Sequence, residues 1–189
     1  MEFVITSAEQ GDLPVMYELF EEAIRFQKSR GYFGWTGYDK AFIQSDLNHG
    51  RLFKLVEAGE MVCMFSLCYR DPLIWRDREK GDALYLHRIV LNQKFRGNRT
   101  FQKILDWAVA RARDKNLTYI RMDTWAENEK IIAYYQSFGF RYLEEYTTPD
   151  TEWLPSQHRN LRVALLDWTL PPPGAYRDIT PGRGPGVNG

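Results

Sequence analysis

A polar turn in the middle of the chain has the residue types and the position of an anion site. The turn, Arg96-Gly97-Asn98-Arg99-Thr100, follows a predicted strand at Leu84–Leu91 and opens a predicted helix at Phe101. Free backbone N–H groups and the positive end of the helix dipole meet at such a turn, and phosphate binds there. The turn therefore predicts an anion site. The alternative is a capped strand-to-helix connection that holds no ligand.

Two further polar side chains, Asn128 and Tyr135, are expected near the same spot. Both lie on a predicted helix at Asn128–Ser137, which follows the next strand. Each has a structural alternative. Asn128 suits an N-cap, and Tyr135 shares the apolar face of its helix with Ile131 and Phe138, which also predicts core packing.

A candidate base lies on the strand that enters the turn. The reference pKa of histidine is near neutrality, which suits it to proton transfer. His87 is predicted to share a face with Tyr85 and Ile89, with Arg88 on the opposite face. A satisfied, partly buried histidine is an equally good interpretation. Because no Cys, His and Asp residues have metal-ligand spacing, no metal site is predicted. The other two histidines are predicted to be surface residues: His49 and His158.

Hydrophobic periodicity predicts the elements that must position these residues. Their order is β-α-α-β-β-β-α-β-α-β-β, which indicates an α/β fold with a mixed central sheet of about seven strands and helices on both faces. A single domain is expected over residues 1–170, followed by a Pro/Gly-rich tail at 171–189. Residues 71–81 are predicted to form a charged loop. The predicted strands are Phe3–Thr6, Arg51–Glu57, Met61–Arg70, Leu84–Leu91, Thr118–Thr124, Arg141–Tyr146 and Leu161–Leu170, and the predicted helices are Leu13–Lys28, Asp39–Asn48, one from Phe101, and Asn128–Ser137.

Composition narrows the class of protein. The chain has 189 residues, 44% hydrophobic and 26% charged, which is typical of a globular domain. Lys+Arg and Asp+Glu are both 25, so no basic excess indicates a nucleic-acid partner. No apolar run predicts a membrane span and no leader is evident, so a cytoplasmic location is expected. Cys63 and Cys68 are five apart on one predicted strand and face opposite sides, so they are expected to stay reduced.

The order of the elements, the turn and the Asn128 and Tyr135 pair resemble the GCN5-related N-acetyltransferase (GNAT) family. In that family's turn, Arg or Gln is followed by two residues, Gly, one residue, and Gly or Ala. Arg96 matches the first position, but Arg99 and Phe101 stand at the two small positions. The backbone N–H donors are still present. Arg99 and Phe101 each add a Cβ, however, and glycine lacks this atom, which lets phosphate approach the backbone closely. Arg99 could compensate by pairing with phosphate itself.

The resemblance implies acetyl-CoA as co-substrate and an amine as acceptor, attacked directly in a ternary complex. It implies a sheet splayed between the fourth and fifth strands, where the cofactor enters. It implies that Tyr135 is the general acid that protonates the departing thiolate, a role that suits a protonated, rigidly held phenol. It also implies that His87 or a water relay is the general base. The residues that it assigns to cofactor binding are Ile89, Val90, Leu91, Arg96, Gly97, Asn98, Arg99, Thr100, Phe101 and Asn128.

The acceptor, a small molecule or peptide, is expected between two loops. The residues expected to contact it are Tyr32, Phe33, Trp35 and Glu152. Aromatic walls with carboxylates suit a cationic amine, although loop anchoring by buried rings is the alternative. A homodimer is among the possible assemblies. The rival to an enzyme is a degenerate binding or interaction protein that shares the fold and has lost coenzyme A, with Arg99 and Phe101 in its favour.

Overall fold

The computed structural model describes residues 3–97 and 99–172. Asn98, which belongs to the predicted anion turn, and nearly all of the predicted tail lie outside the described residues. Within the described part of the chain, no helix is both long enough and apolar enough to cross a bilayer.

Seven strands form one mixed sheet, as predicted. Their order across the sheet is β1-β2-β3-β4-β5-β7-β6, and only the β4–β5 pair is parallel. The strands are β1 (Phe3–Ser7), β2 (Leu52–Glu57), β3 (Glu60–Cys68), β4 (Ala83–Leu91), β5 (Tyr119–Trp125), β6 (Arg141–Thr147) and β7 (Arg162–Thr169). The helices are α1 (Leu13–Ser29), α2 (Lys40–Asn48), α3 (Pro72–Trp75), α4 (Thr100–Asp114) and α5 (Glu129–Gln136).

Helices cover both faces of the sheet, which the alternation of apolar residues predicted. On one face, Ile104 and Leu105 of α4 and Phe138 after α5 pack against β3, β4 and β5. On the other face, Met16 and Phe20 of α1 pack with α2 against β2 and β3. The central strands of the sheet are therefore mostly buried, and a gap between two of them would give a ligand access.

The fourth and fifth strands separate soon after they meet. Their pairing covers three residue pairs, from Ala83 with Tyr119 to Tyr85 with Arg121. Beyond Tyr85, β5 continues to pair with β7 through Trp125, whereas β4 continues along β3. The splay that the family resemblance implies is therefore present, and it opens a cleft beside His87.

One irregularity in β4 changes which face its residues occupy. Between two matched positions, Met64 with Val90 and Ser66 with His87, β4 has one more residue than β3, which is a β-bulge. Arg88 lies at this bulge with a left-handed φ of 50°. The bulge reverses the alternation, so Ile89 packs on the α4 face while Tyr85 faces the opposite side. The prediction that Ile89 shares a face with Tyr85 and His87 is wrong for this reason, because the bulge separates Ile89 from the other two residues.

The segment predicted as a charged loop at residues 71–81 contains the short helix α3 and a 3-10 turn at Arg76–Arg78. Trp75 ends α3 and is fully buried against Tyr85. The burial of this ring accounts for the extra order in a segment whose charges suggested a loop.

Candidate active site

Two residues of the predicted anion turn have a left-handed backbone. Gly97 has a φ of 91° and Arg99 a φ of 52°, so both occupy the left-handed region. Arg99 is the N-cap position of α4 and makes no side-chain cap bond. The hydroxyl oxygen of Thr100 is buried and has no hydrogen-bond partner among the described residues. The turn thus lies at the N-terminus of a 15-residue helix, where the first N–H groups have no partner within the helix.

Phe101 packs into the core. Its ring is 4% exposed and lies 4.9 Å, centroid to centroid, from the rings of Tyr135 and Phe138. A cavity of about 570 Å³, which we call the turn cavity, opens beside it. Gly97, Arg99 and Thr100 line this cavity. The large side chain at the second small position therefore does not fill the turn.

Asn128 acts as the N-cap of α5 and also ties that helix to a distant loop. Its side-chain oxygen accepts a hydrogen bond from the backbone N–H of Ile131 at 3.1 Å. Its side-chain nitrogen donates to the backbone carbonyl of Phe33 at 2.8 Å. The structural alternative for Asn128 is thus present, and its contact with a cofactor stays a prediction.

Tyr135 lies between two cavities. It is 9% exposed, and it lines both the turn cavity and a second cavity of about 120 Å³ in the cleft between β4 and β5. We call the second one the cleft cavity. Burial raises the pKa of Tyr135 above its ordinary value. Its phenol therefore keeps its proton at neutral pH, beside both cavities.

His87 lies between two carboxylates that the sequence did not single out. Its Nδ1 is 3.4 Å from Oδ1 of Asp123, and its Nε2 is 3.5 Å from Oδ2 of Asp71. Asp123 lines the cleft cavity, whereas Asp71 lines a third cavity of about 180 Å³, which we call the outer cavity. His87 lines both cavities, so it forms part of the wall between them.

The charges around His87 shift its proton affinity. Burial alone would lower the pKa of His87. The neighbouring Cys68, Asp123 and Asp71 outweigh burial and raise that pKa well above its ordinary value. Burial raises the pKa of Asp71 to about 6. At neutral pH the cluster therefore favours a charged imidazolium between two carboxylates.

Comparison with known proteins identifies the family. The model of the acetyltransferase (GNAT) family matches residues 13–140. The chain belongs to the acetyltransferase (GNAT) family. This result confirms the family and the enzyme class that the turn and the element order indicated.

Several relatives agree with this assignment. The Bacillus subtilis protein named uncharacterized N-acetyltransferase YesJ is 23% identical over 145 residues, covering 69% of this chain and 81% of YesJ. A GNAT acetyltransferase structure from Listeria monocytogenes has a TM-score of 0.72 at 21% identity, covering 90% of this chain and 96% of that one. The yncA protein of Salmonella typhimurium, solved with its cofactor acetyl-CoA, has a TM-score of 0.61 at 13% identity, covering 94% and 99%. At these identities the structural matches show the shared fold.

Within this GNAT fold, the residues predicted to bind cofactor separate into two groups. The side chains of Ile89 and Leu91 line the turn cavity together with Arg96. Val90 is fully buried against the α1 face and can contribute only its backbone to the cleft. Asn98 lies outside the described residues.

The residues predicted to contact the acceptor do not lie at one site. Trp35 lines the cleft cavity, and its ring lies 5.3 Å from that of Trp125. Phe33 is 59% exposed and uses its carbonyl to hold Asn128. Tyr32 and Glu152 are exposed and line neither the cleft cavity nor the outer cavity.

Arg88 and His158 lie where the sequence did not place them. Because of the bulge, Arg88 turns to the same side as His87, lines the cleft and outer cavities and pairs with Asp46 of α2. His158 was predicted at the surface, yet it lines both cavities, and burial lowers its pKa to about 4. The Ser156–His158 3-10 turn carries this imidazole to the cleft instead of to solvent.

Sequence reasoning missed the two carboxylates beside His87, although one of them left a signal. Asp123 alternates with Arg121 along β5, a strand whose other residues are mostly apolar and buried. Charged residues at alternate positions of a buried strand indicate a polar face. Asp71 left no comparable signal, because it belongs to a charged segment that resembles an ordinary surface loop.

Proposed function

We propose that the chain is an N-acetyltransferase that uses acetyl-CoA and an amine acceptor in a ternary complex. The observation that carries this proposal is the position of Tyr135, which lines both the turn cavity and the cleft cavity. A group that must protonate a leaving thiolate has to lie where the cofactor arm meets the acceptor. The acetyl-CoA in the yncA structure supports the same cofactor here.

The turn fits the diphosphate of this cofactor. Gly97 and Arg99 hold the left-handed backbone, and the orphaned Thr100 hydroxyl and the N-terminus of α4 supply donors. Arg96 and Arg99 line the same cavity and would add charge-assisted contacts to phosphate. The side chains of Ile89 and Leu91 would line the path of the pantetheine arm, because they line the cavity beyond the turn.

The edge of β4 would polarise the reacting carbonyl. Because β4 leaves β5 after Tyr85, the backbone beside Ile89–Leu91 has no strand partner in the cleft. Its N–H groups would stabilise negative charge as it develops. Bound acetyl-CoA supplies the thioester whose acetyl group the acceptor nitrogen takes. Tyr135 would give its proton to the departing sulfur, and His87 or a water relay would accept the proton of the amine.

Substitution of Tyr135 by Phe tests the acid role. Tyr135→Phe removes only the hydroxyl, so we expect kcat to fall by about 10²–10⁴-fold with little change in acetyl-CoA affinity. Tyr134→Phe is the matched control, because Tyr134 lines the turn cavity but not the cleft cavity and is 43% exposed. Equal loss of kcat and affinity in Tyr135→Phe would reject the acid role.

A thermal titration with acetyl-CoA separates the enzyme from the degenerate binding protein. A ligand that binds only the folded state raises the unfolding midpoint in proportion to the logarithm of its concentration. We expect acetyl-CoA to raise the midpoint of the whole chain. No rise with acetyl-CoA or with longer acyl-CoAs would favour the degenerate protein.

A further inference from the structure

The cluster around His87 has a feature that the proposed function does not use. The two ring nitrogens face two different carboxylates, and these carboxylates line two different cavities. Oδ1 of Asp123 and Oδ2 of Asp71 are buried and have no hydrogen-bond partner among the described residues. Each oxygen faces the imidazole at a distance somewhat longer than that of a charge-assisted hydrogen bond.

We propose that Asp71 and Asp123 serve His87 as a divided pair: Asp71 fixes the ring through Nε2, and Asp123 stabilises the positive charge that forms when Nδ1 takes the proton of the acceptor amine. This inference rests on the proposed function and adds two residues to it. Asp71 is a positioning residue, since it lies behind the ring in the outer cavity. Asp123 lines the cavity in which the amine would bind.

The proton transfer balances within the cluster. In the reactive state His87 is neutral, with its Nε2 hydrogen directed to Asp71. The lone pair of Nδ1 and Oδ1 of Asp123 then both face the bound ammonium in the cleft. An N–H bond of the bound ammonium breaks and a bond from Nδ1 to that hydrogen forms, which leaves a neutral amine and an imidazolium. When the amide forms, the nitrogen loses a second proton, which restores the phenol of Tyr135 after that residue has protonated the departing sulfur. The two carboxylates offset the new charge. After the product leaves, water in the cleft takes the proton from Nδ1.

The groups that face His87 come from several elements. Cys68 at the end of β3 and Asp123 of β5 raise its pKa, and so does Asp71 from the loop after β3. Arg88 on β4 is neutralised by Asp46 of α2, which also accepts from Ser66. Glu79 lies beside Asp71, and His158 faces Asp123 with a pKa lowered to about 4 by burial. Two carboxylates thus face one imidazole, and the nearby guanidinium is already paired.

The same three residues could be considered for a metal, since their ligand atoms lie within 4.8 Å of one another. An ion could use only one nitrogen of His87. Here each nitrogen faces its own carboxylate. This arrangement suits a proton shared between nitrogen and carboxylate better than a metal ion shared by all three residues. Chelation therefore belongs among the controls: activity that is lost with EDTA and restored by Zn²⁺ would overturn the proposal.

The direct test is an NMR titration of the full chain. The sequence has three histidines, so His87→Gln and His158→Gln assign the imidazole Cε1–H signals. We expect His87 to titrate well above 6.5 in the wild type. Each carboxylate favours the charged imidazole. Asp71→Asn and Asp123→Asn should therefore each lower the pKa of His87 by about one pH unit or more. Asp77→Asn, an exposed change of the same net charge in the same segment, should leave it unchanged.

The outcomes are distinct. If both variants lower the His87 pKa and Asp77→Asn does not, the divided pair is supported. If neither variant lowers it, or only one does, the pair is overturned. A wild-type His87 that titrates at or below 6.5 also overturns it, and this result needs no variant to fold.

A rate measurement separates this inference from the proposed function. With acetyl-CoA and 2-phenylethylamine as probes, kcat/KM should rise with pH through the pKa of His87, because only the neutral ring accepts a proton. The rising limb should move to lower pH in Asp71→Asn and Asp123→Asn and disappear in His87→Gln. If the wild type transfers acetyl groups but the rising limb stays at the same pH in both variants, the divided pair is overturned and the proposed function is not. A wild type that does not bind acetyl-CoA would overturn the proposed function, and the NMR titration would still decide the pair.

Discussion

The turn region and the acceptor region of this molecule depend on different physical interactions. The turn region, Arg96–Phe101 with α4 and α5, depends on backbone shape and on aromatic packing around Phe101. The acceptor region, which is the cleft around His87 where we propose that the amine binds, depends on charges that lie next to one another. Side chains in the turn can therefore change while its donors remain, whereas a single lost carboxylate changes the proton affinity of the acceptor region.

The difference also shows how far a motif can be trusted. Arg99 and Phe101 depart from the family pattern, yet Arg99 adopts the left-handed backbone and Phe101 turns into the core. What the turn must supply is N–H groups in a given direction, and any non-proline residue supplies them. If the turn binds the diphosphate as we propose, the small residues of the family pattern are one way to build it and not its physical requirement.

The largest expected effect comes from emptying the core beneath the turn. Phe101→Ala removes a ring that is 4% exposed and contacts the rings of Tyr135 and Phe138. We expect the free energy of unfolding to fall by about 3–5 kcal/mol, as measured by urea denaturation. Phe33→Ala is the matched control, because that ring is 59% exposed and its carbonyl bond survives the change.

The same variant sharpens the comparison between the two regions. If they are held by separate contacts, the pKa of His87 in folded Phe101→Ala should equal that of the wild type. A shift in that pKa would show that the packing of the turn region also sets the charges of the acceptor region. A loss of stability no greater than that of Phe33→Ala would contradict the buried position of the ring.

An intermediate effect is expected at Asn128, which ties α5 of the turn region to the loop that holds Phe33. Asn128→Ala removes both the cap of α5 and the bond to the Phe33 carbonyl, so we expect a loss of about 1–2 kcal/mol by urea denaturation. Asn128→Ser keeps an oxygen for the cap and removes only the donor, and it should recover part of that loss. If both variants are equally unstable, the cap contributes nothing measurable.

Sequence reasoning succeeded where the determinants are local. The order of strands and helices follows from periodicity, and the turn is contiguous in the chain, so both were predictable. Asp71, Asp123 and His158 come from a loop, a strand and a 3-10 turn, and only the folded sheet brings them to His87. The bulge at Arg88 could not be predicted either, because a period of two does not reveal one inserted residue.

The smallest expected effect is a gain, at Arg99. A non-glycine residue at a φ of 52° is strained by about 1–3 kcal/mol, and glycine removes that strain while adding about 0.5–1 kcal/mol of unfolded-state entropy. Arg99→Gly should therefore be more stable than Arg99→Ala by about 1 kcal/mol in urea denaturation, since both lose the guanidinium and only one relieves the backbone. Equal stability of the two variants would mean that the turn relaxes without help from glycine. If Arg99 also pairs with phosphate, both variants should lose acetyl-CoA affinity to a similar extent, and this loss should shrink at high salt. Backbone shape and side-chain charge at one position would then be measured separately, each in its own experiment.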